Sequence, residues 1–256
     1  MELSGLFESE ADDYVARTSA ALVHRQIAWW LQNNEDRISQ RAVTSDDGGF
    51  LLFADQIDLD EDYPDLVVAF LPSSDKETTK GFGSRASFGL AKEDGHPMLR
   101  GKKMIILYCL KAPGDYGDIA DRFRVGMKSP FIHEFQHYLM SSRRQGEVKT
   151  SSEALKQGGI AAYFNDNDET NAYYVEATHD IVDFFNTLRD RAPQKLQRYA
   201  DKTTPELMAW AKEQFFFPPF LRHASPKTTR ALNRRLYRFF EDGIRPMIAR
   251  VLKNYE

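Results

Sequence analysis

The stretch from Ser129 to Met140 constrains the fold most, because its two sides ask for different surroundings. Ser129 followed by Pro130 is a good helix start: a side-chain oxygen to cap, then a ring whose missing N–H falls where no intrahelical partner exists. On a wheel of 100° per residue, Phe131, Ile132, Phe135, Tyr138 and Leu139 fall on one arc. His133 and His137 fall opposite, with Met140 beside them. One face is built to pack on a core and the other presents two imidazoles.

Residues four apart on a helix project from the same side, so His133 and His137 can place ring nitrogens on one ion. Glu134 sits about a quarter-turn round, where a carboxylate can take a proton from a metal-bound water. Two histidines are one short of the three protein ligands that a catalytic zinc usually has. No third His follows closely, since Tyr138-Leu139-Met140-Ser141-Ser142-Arg143-Arg144 comes next.

A second helix is the expected source of the missing ligand. Gly158-Gly159 marks a turn, Asn165 or Asp166 is the expected N-cap, and Asp168 and Glu169 suit the positive end of the helix dipole. Glu169, Ala172, Tyr173, Glu176, Asp180 and Asp183 share one arc of this helix. Tyr174, Ile181, Val182, Phe185 and Leu188 cover the other. Glu169 is the preferred third ligand and Glu176 the runner-up; Ala172 between them is small enough for another helix to approach closely.

His133-Glu134-Phe135-Gln136-His137 followed by Glu169-Thr170-Asn171-Ala172 resembles the gluzincins, zinc metallopeptidases of HExxH type whose third ligand is a downstream Glu. Small bacterial and phage-associated members with a Glu-x-x-Ala helix are the most similar, and the resemblance covers roughly residues 65 to 190. It implies His133, His137 and Glu169 as ligands of Zn2+, Glu134 as general base and acid, and a zincin-like core. In several gluzincins an Asp four residues after the ligand Glu orients a His; here that position is Tyr173. Glu176 and Asp180 are the candidates to orient a His instead, or Tyr173 serves another purpose, so the orienting partner, which usually matters strongly for affinity, stays unassigned.

The implied reaction is hydrolysis of a peptide bond in a protein or peptide substrate. Zinc lowers the pKa of its water to about 7 and polarises the carbonyl. Glu134 would accept the proton and pass it to the leaving nitrogen. Tyr173, Tyr174 and His179 are candidates for stabilising the oxyanion by sequence proximity only, and His179 reads better as a satisfied surface histidine. Arg85 to Ala91, after the loop Gly81-Phe82-Gly83, is a candidate edge strand that could pair with a substrate backbone. The alternative from another class is a zincin-like binding or structural protein without catalysis.

With 256 residues, 42% of them hydrophobic and 12% aromatic, the chain can bury a substantial core. No apolar run reaches the roughly 18 residues of a membrane span, and the N-terminus lacks the pattern of a secretory signal. Cys109, the single cysteine, lies in the apolar run Met104 to Leu110 and reads as a buried small hydrophobe. A reducing, cytoplasmic setting fits.

The net charge of −4 conceals a polarity. Asp46 to Asp75 carries only acids, whereas the C-terminal stretch carries Lys227, Arg230, Arg234, Arg235, Arg238, Arg245, Arg250 and Lys253. Without a recognised binding motif, nucleic acid is not the expected partner. Leu232, Tyr237, Phe239, Phe240, Ile244, Ile248 and Leu252 indicate that this stretch packs on something. No oligomeric state is specified.

Helix is expected from about Ser9 to Asn33, with Ser9 and Asp12 forming a capping box. Strands are expected over Asp65 to Leu71, Arg85 to Ala91 and Lys102 to Leu110. The polar segment from Ser141 to Asn165 is long for a simple connection and reads as a lid or specificity loop. From Pro193 onward the chain reads as helical, interrupted by the aromatic and proline corner Phe215 to Phe220. The expected architecture is α+β: a metallopeptidase domain over 1–192 with a small mixed sheet, then a helical extension over 193–256 packed on it.

Overall fold

The computed structural model describes residues 10–34, 36, 38, 43–44, 48–73, 86–90, 97–143 and 151–254. The chain is α+β, with two compact units, Met1–Thr150 and Ser151–Glu256. A division after residue 192 was the expectation. The helix Asn167–Arg191 falls instead in the C-terminal unit, because its apolar side is covered by the helices that follow it.

Among the described residues the first unit holds five strands, β1 (Val43–Thr44), β2 (Phe50–Phe53), β3 (Leu66–Pro72), β4 (Ala86–Leu90) and β5 (Lys103–Leu110). Their order is β1-β2-β3-β5-β4. β3 and β5 are parallel and the other pairs are antiparallel, so the sheet is mixed and β4 forms one edge. β3, β4 and β5 match the three expected strands within a residue at each end. β1 and β2 were not expected: Phe50-Leu51-Leu52-Phe53 is buried at every position and shows no alternation to read. Gly49 leads into β2 because a Cβ there would lie 2.2 Å from the Phe70 carbonyl oxygen.

One face of the sheet buries Leu51, Phe53, Val67 and Ala69 against Leu99, Met104 and Ile106. Phe70 faces the other way, towards helices α2 (Ile119–Gly126) and α3 (Lys128–Arg143), on which α1 (Glu10–Asn33) packs. Phe70 meets Phe123 edge-on, Phe123 meets Phe131, and Phe131 and Phe135 stack, so an aromatic chain runs along the core side of α3. His24 of α1 stacks on Phe123, its Nε2 lying 3.2 Å from the Phe123 carbonyl oxygen. α2 was not read from the sequence. α1 matches its expected span, while Ser9 lies outside the described residues.

The second unit is helical: α4 (Ser151–Phe164), α5 (Asn167–Arg191), α6 (Thr204–Phe215), α7 (Pro218–His223), α8 (Pro226–Arg238) and α9 (Arg245–Lys253), with a short helical turn Gln197–Ala200 before α6. The segment expected to be a loop between Ser141 and Asn165 thus contains a helix. Gly159, at φ 65°, kinks it where the turn was expected. Residues 144–150 lie outside the described ones. Phe185, Tyr199 and Trp210 meet at 5.1–5.7 Å and hold the C-terminal half of α5 on α6. Phe216 and Phe220 are buried, so the aromatic and proline corner is packed, as expected. Between α8 and α9 the helix widens to a π-turn, Phe239–Ile244, just before Pro246, whose ring cannot donate to the preceding turn. Among the described residues no helix is long and apolar enough to cross a membrane.

Candidate metal centre

α3 begins two residues earlier than its sequence signal. The Phe131 N–H donates to the Met127 carbonyl at 2.9 Å, so Met127 takes the capping position expected of Ser129. Pro130 still falls in the first turn, where its missing N–H costs no hydrogen bond. Phe131, Ile132, Phe135 and Tyr138 are buried on the expected side. The opposite side is covered too: His133 is 7% exposed, His137 8%, and Gln136 and Met140 are buried. The two imidazoles expected on this side are therefore buried together.

The two ring Nε2 atoms face each other at 3.3 Å. Two donors at the 2.0–2.1 Å zinc–nitrogen distance, set at a tetrahedral angle, would lie about 3.3–3.4 Å apart. The pair therefore has the separation of two ligands on one ion. The His137 ring lies nearly parallel to Phe88 of edge strand β4, centroids 6.4 Å apart, and Phe88 also meets Tyr138 edge-on. Sequence reading missed this neighbour. The imperfect alternation of 85 to 91 marked the strand but gave no register against α3.

A ring of polar contacts, also unread in the sequence, ties α3 to the sheet. The Tyr138 hydroxyl donates to Asp65 Oδ1 at 2.6 Å. Lys103 Nζ lies 2.9 Å from Asp65 Oδ2 and donates to Ser142 Oγ at 2.9 Å, and Ser142 Oγ donates to the Tyr138 carbonyl at 3.0 Å. Burial would raise the Asp65 carboxyl, but its bonds from Tyr138 and Lys103 outweigh that and hold it below its ordinary value. Burial, reinforced by Asp65, raises the Tyr138 phenol well above its ordinary value, so it stays a donor. The parallel register pairs Leu66 with Lys103, which places Asp65 and Lys103 side by side at the starts of β3 and β5.

α5 opens where the acidic run predicted. Asp166 is its N-cap, accepting from the Asp168 N–H at 2.8 Å. Asn165, the other expected cap, instead ties three segments: its Nδ2 donates to the carbonyls of Ala161 and His223, and its Oδ1 accepts from Ser225 N and Thr228 Oγ1. Glu169 is 3% exposed and Ala172 fully buried, whereas Glu176 and Asp180 are half-buried. His133, His137 and Glu169 form a buried set in which each residue offers one ligand atom, the three atoms lying within 4.8 Å of one another. Two imidazoles and one carboxylate are a donor set that fits a zinc ion with an open position.

The three residues weighed for oxyanion stabilisation have other surroundings. Tyr173 stacks with Phe217 and Phe220 at 5.9 and 5.0 Å. Tyr174 is buried beneath the Arg235 guanidinium, 3.7 Å from the ring centre, and Arg235 donates to Asn171 Oδ1 at 2.6 Å. His179 is buried rather than at the surface, with Nε2 3.5 Å from Asp183 Oδ2. Cys109 is half-buried and burial pushes its thiol up to about 12, which suits the non-catalytic reading. No protein-family model, no curated protein and no solved structure matches the chain.

Proposed function

We propose that the chain is a zinc-dependent metallopeptidase of gluzincin type with a zincin-like core, acting in the cytoplasm on a protein or peptide. The observation that carries this reading is the buried set His133, His137 and Glu169, with the two Nε2 atoms 3.3 Å apart. A mixed sheet whose edge strand β4 runs beside the HExxH helix supports it.

His133, His137 and Glu169 would hold the ion. A zinc ion there supplies Lewis acidity, lowering the pKa of a coordinated water to about 7 and polarising a substrate carbonyl. Glu134, next to His133 on the same helix and half-buried, accepts the attacking water's proton and returns it to the departing amine. Burial of the two imidazoles limits competition from solvent, and Phe88 restricts the His137 ring. The β4 edge offers backbone groups to an extended substrate.

The test is Glu134→Gln beside wild type, with zinc content and hydrolysis of labelled casein measured on the same preparations. Zinc retained with hydrolysis reduced by at least about a hundredfold is expected. Undiminished hydrolysis in the variant would remove Glu134 from the mechanism. Zinc in both proteins with hydrolysis in neither would favour the non-catalytic, zincin-like alternative.

A further inference from the structure

Two buried side-chain oxygens of α3, Gln136 Oε1 and Ser141 Oγ, have no hydrogen-bond partner among the described residues. Gln136 is 2% exposed and Ser141 4%, so bulk water does not satisfy either oxygen. An oxygen buried in this way destabilises a fold, and native structures keep few of them. Ser142, the next residue, shows the ordinary alternative: its hydroxyl donates to the Tyr138 carbonyl one turn back. The Ser141 hydroxyl makes no such bond.

The positions of the two oxygens are specific. Gln136 comes three residues after His133, and Ser141 four after His137, the spacings at which side chains of one helix are neighbours. Helical side chains lean towards the N-terminus, so the later member of each pair lies over the earlier one. Gln136 thus flanks the His133 ring and Ser141 the His137 ring. The two Nε2 atoms are turned to each other at 3.3 Å, as for a shared ion. A neutral imidazole that coordinates through Nε2 carries its proton on Nδ1, and that N–H is normally held by an acceptor.

We infer that Gln136 and Ser141 orient the two imidazoles of the metal centre. Gln136 Oε1 accepts from His133 Nδ1–H, and Ser141 Oγ from His137 Nδ1–H, when an ion holds both Nε2 atoms. The inference rests on the metal centre proposed above. Both are positioning residues, since neither touches the ion or the substrate. They supply what α5 does not offer at the position of the orienting Asp, where Tyr173 stacks with Phe217 and Phe220. Glu176 and Asp180 lie about one and two turns further along α5 than Tyr173, and both are half-buried, where water competes for them.

The test pairs zinc affinity, measured by competition with a chromophoric chelator, with thermal melting of the zinc-stripped full chain. Gln136→Leu keeps the shape of the side chain and removes its oxygen. Its zinc Kd should rise about ten- to a hundredfold. Its stripped form should melt no lower than stripped wild type, because a buried oxygen without a partner has been removed. Gln136→Glu keeps an acceptor at the same place and should hold zinc at least as tightly as wild type. Ser141→Ala should weaken zinc binding without lowering the stripped melting temperature. Proton NMR of the zinc-loaded chain gives a direct signature: an exchange-protected His133 Nδ1–H signal in wild type, lost in Gln136→Leu.

Two patterns overturn the inference. One is wild-type zinc affinity in Gln136→Leu. The other is a stripped Gln136→Leu that melts well below wild type or fails to fold, which assigns the carboxamide to packing. A wild-type chain that takes up no zinc removes the metal centre itself, and the orienting roles with it.

Discussion

The Tyr138 hydroxyl reaches Asp65 Oδ1 at 2.6 Å across 73 positions of sequence, joining the residue after His137 to the start of β3. Asp65 in turn neutralises Lys103, whose side chain is only 9% exposed. Asp65→Ala leaves that ammonium with Ser142 Oγ and should cost about 2 kcal/mol, less than a fully buried pair because Asp65 is one-third exposed. The sign with pH follows from the lowered Asp65 carboxyl. Its contribution is complete above the ordinary carboxylate pKa and is lost as pH falls through the lower folded value. Urea unfolding of wild type and Asp65→Ala should therefore converge in acid and separate at neutral pH. An equal gap at both would assign the loss to packing instead.

Asn165 makes four hydrogen bonds that join the end of α4, the end of α7 and the start of α8, one residue before the cap of α5. Asn165→Ala should lower unfolding stability by about 2–3 kcal/mol, near 1 kcal/mol per effective bond with one partly compensated by water. Asn165→Asp keeps the two acceptor contacts but points a carboxylate at the Ala161 and His223 carbonyls, so it should rescue little. Recovery to wild-type stability in Asn165→Asp would mean that the two donated bonds contribute nothing.

Much of the fold was legible because it is local. The three strands over 65–110 show in their apolar runs, α3 in its arc of Phe131, Phe135 and Tyr138, and the start of α5 in its acidic first turn. What stayed hidden depends on register between distant segments. Asp65 and Lys103 meet only because β3 and β5 run parallel, and Phe88 reaches His137 only because β4 pairs outside β5. The wheel of α5 marks an apolar side without naming the neighbour that covers it, so the compact units, Met1–Thr150 and Ser151–Glu256, are not legible from it. The sequence favours Glu169 over Glu176, and the buried cluster that could hold a metal ion contains the first and not the second.

Gly49 has no room for a side chain. A Cβ there would sit 2.2 Å from the Phe70 carbonyl oxygen and 2.5 Å from Leu71 Cδ2, so the clash is with backbone as well as with a flexible chain end. Gly49→Ala must push β2 away from β3 at their paired ends, at a cost of about 3 kcal/mol. The melting temperature should fall by several degrees, whereas Gly101→Ala, at a glycine with open space around its Cα, should lose less through its positive φ alone. Equal losses in the two variants would show that β2 accommodates the methyl group by shifting freely.

The strongest consequence of the proposed centre is thermodynamic and needs no substrate. A ligand that binds only the folded chain stabilises it by about 4 kcal/mol at a thousand times its dissociation constant, so stripping a tightly held zinc ion should lower the melting temperature measurably. Glu169→Ala should bring the untreated protein down to nearly the stripped value and reduce zinc from about one per chain to a small fraction. Glu176→Ala should leave zinc content unchanged, because that carboxylate is not among the three clustered donors. His133→Ala and His137→Ala should behave like Glu169→Ala, since each removes one of the two nitrogens that face each other at 3.3 Å. A chelator shift of the same size in Glu169→Ala as in wild type would place the stabilising ion elsewhere and leave the His133, His137 and Glu169 set without its assigned role.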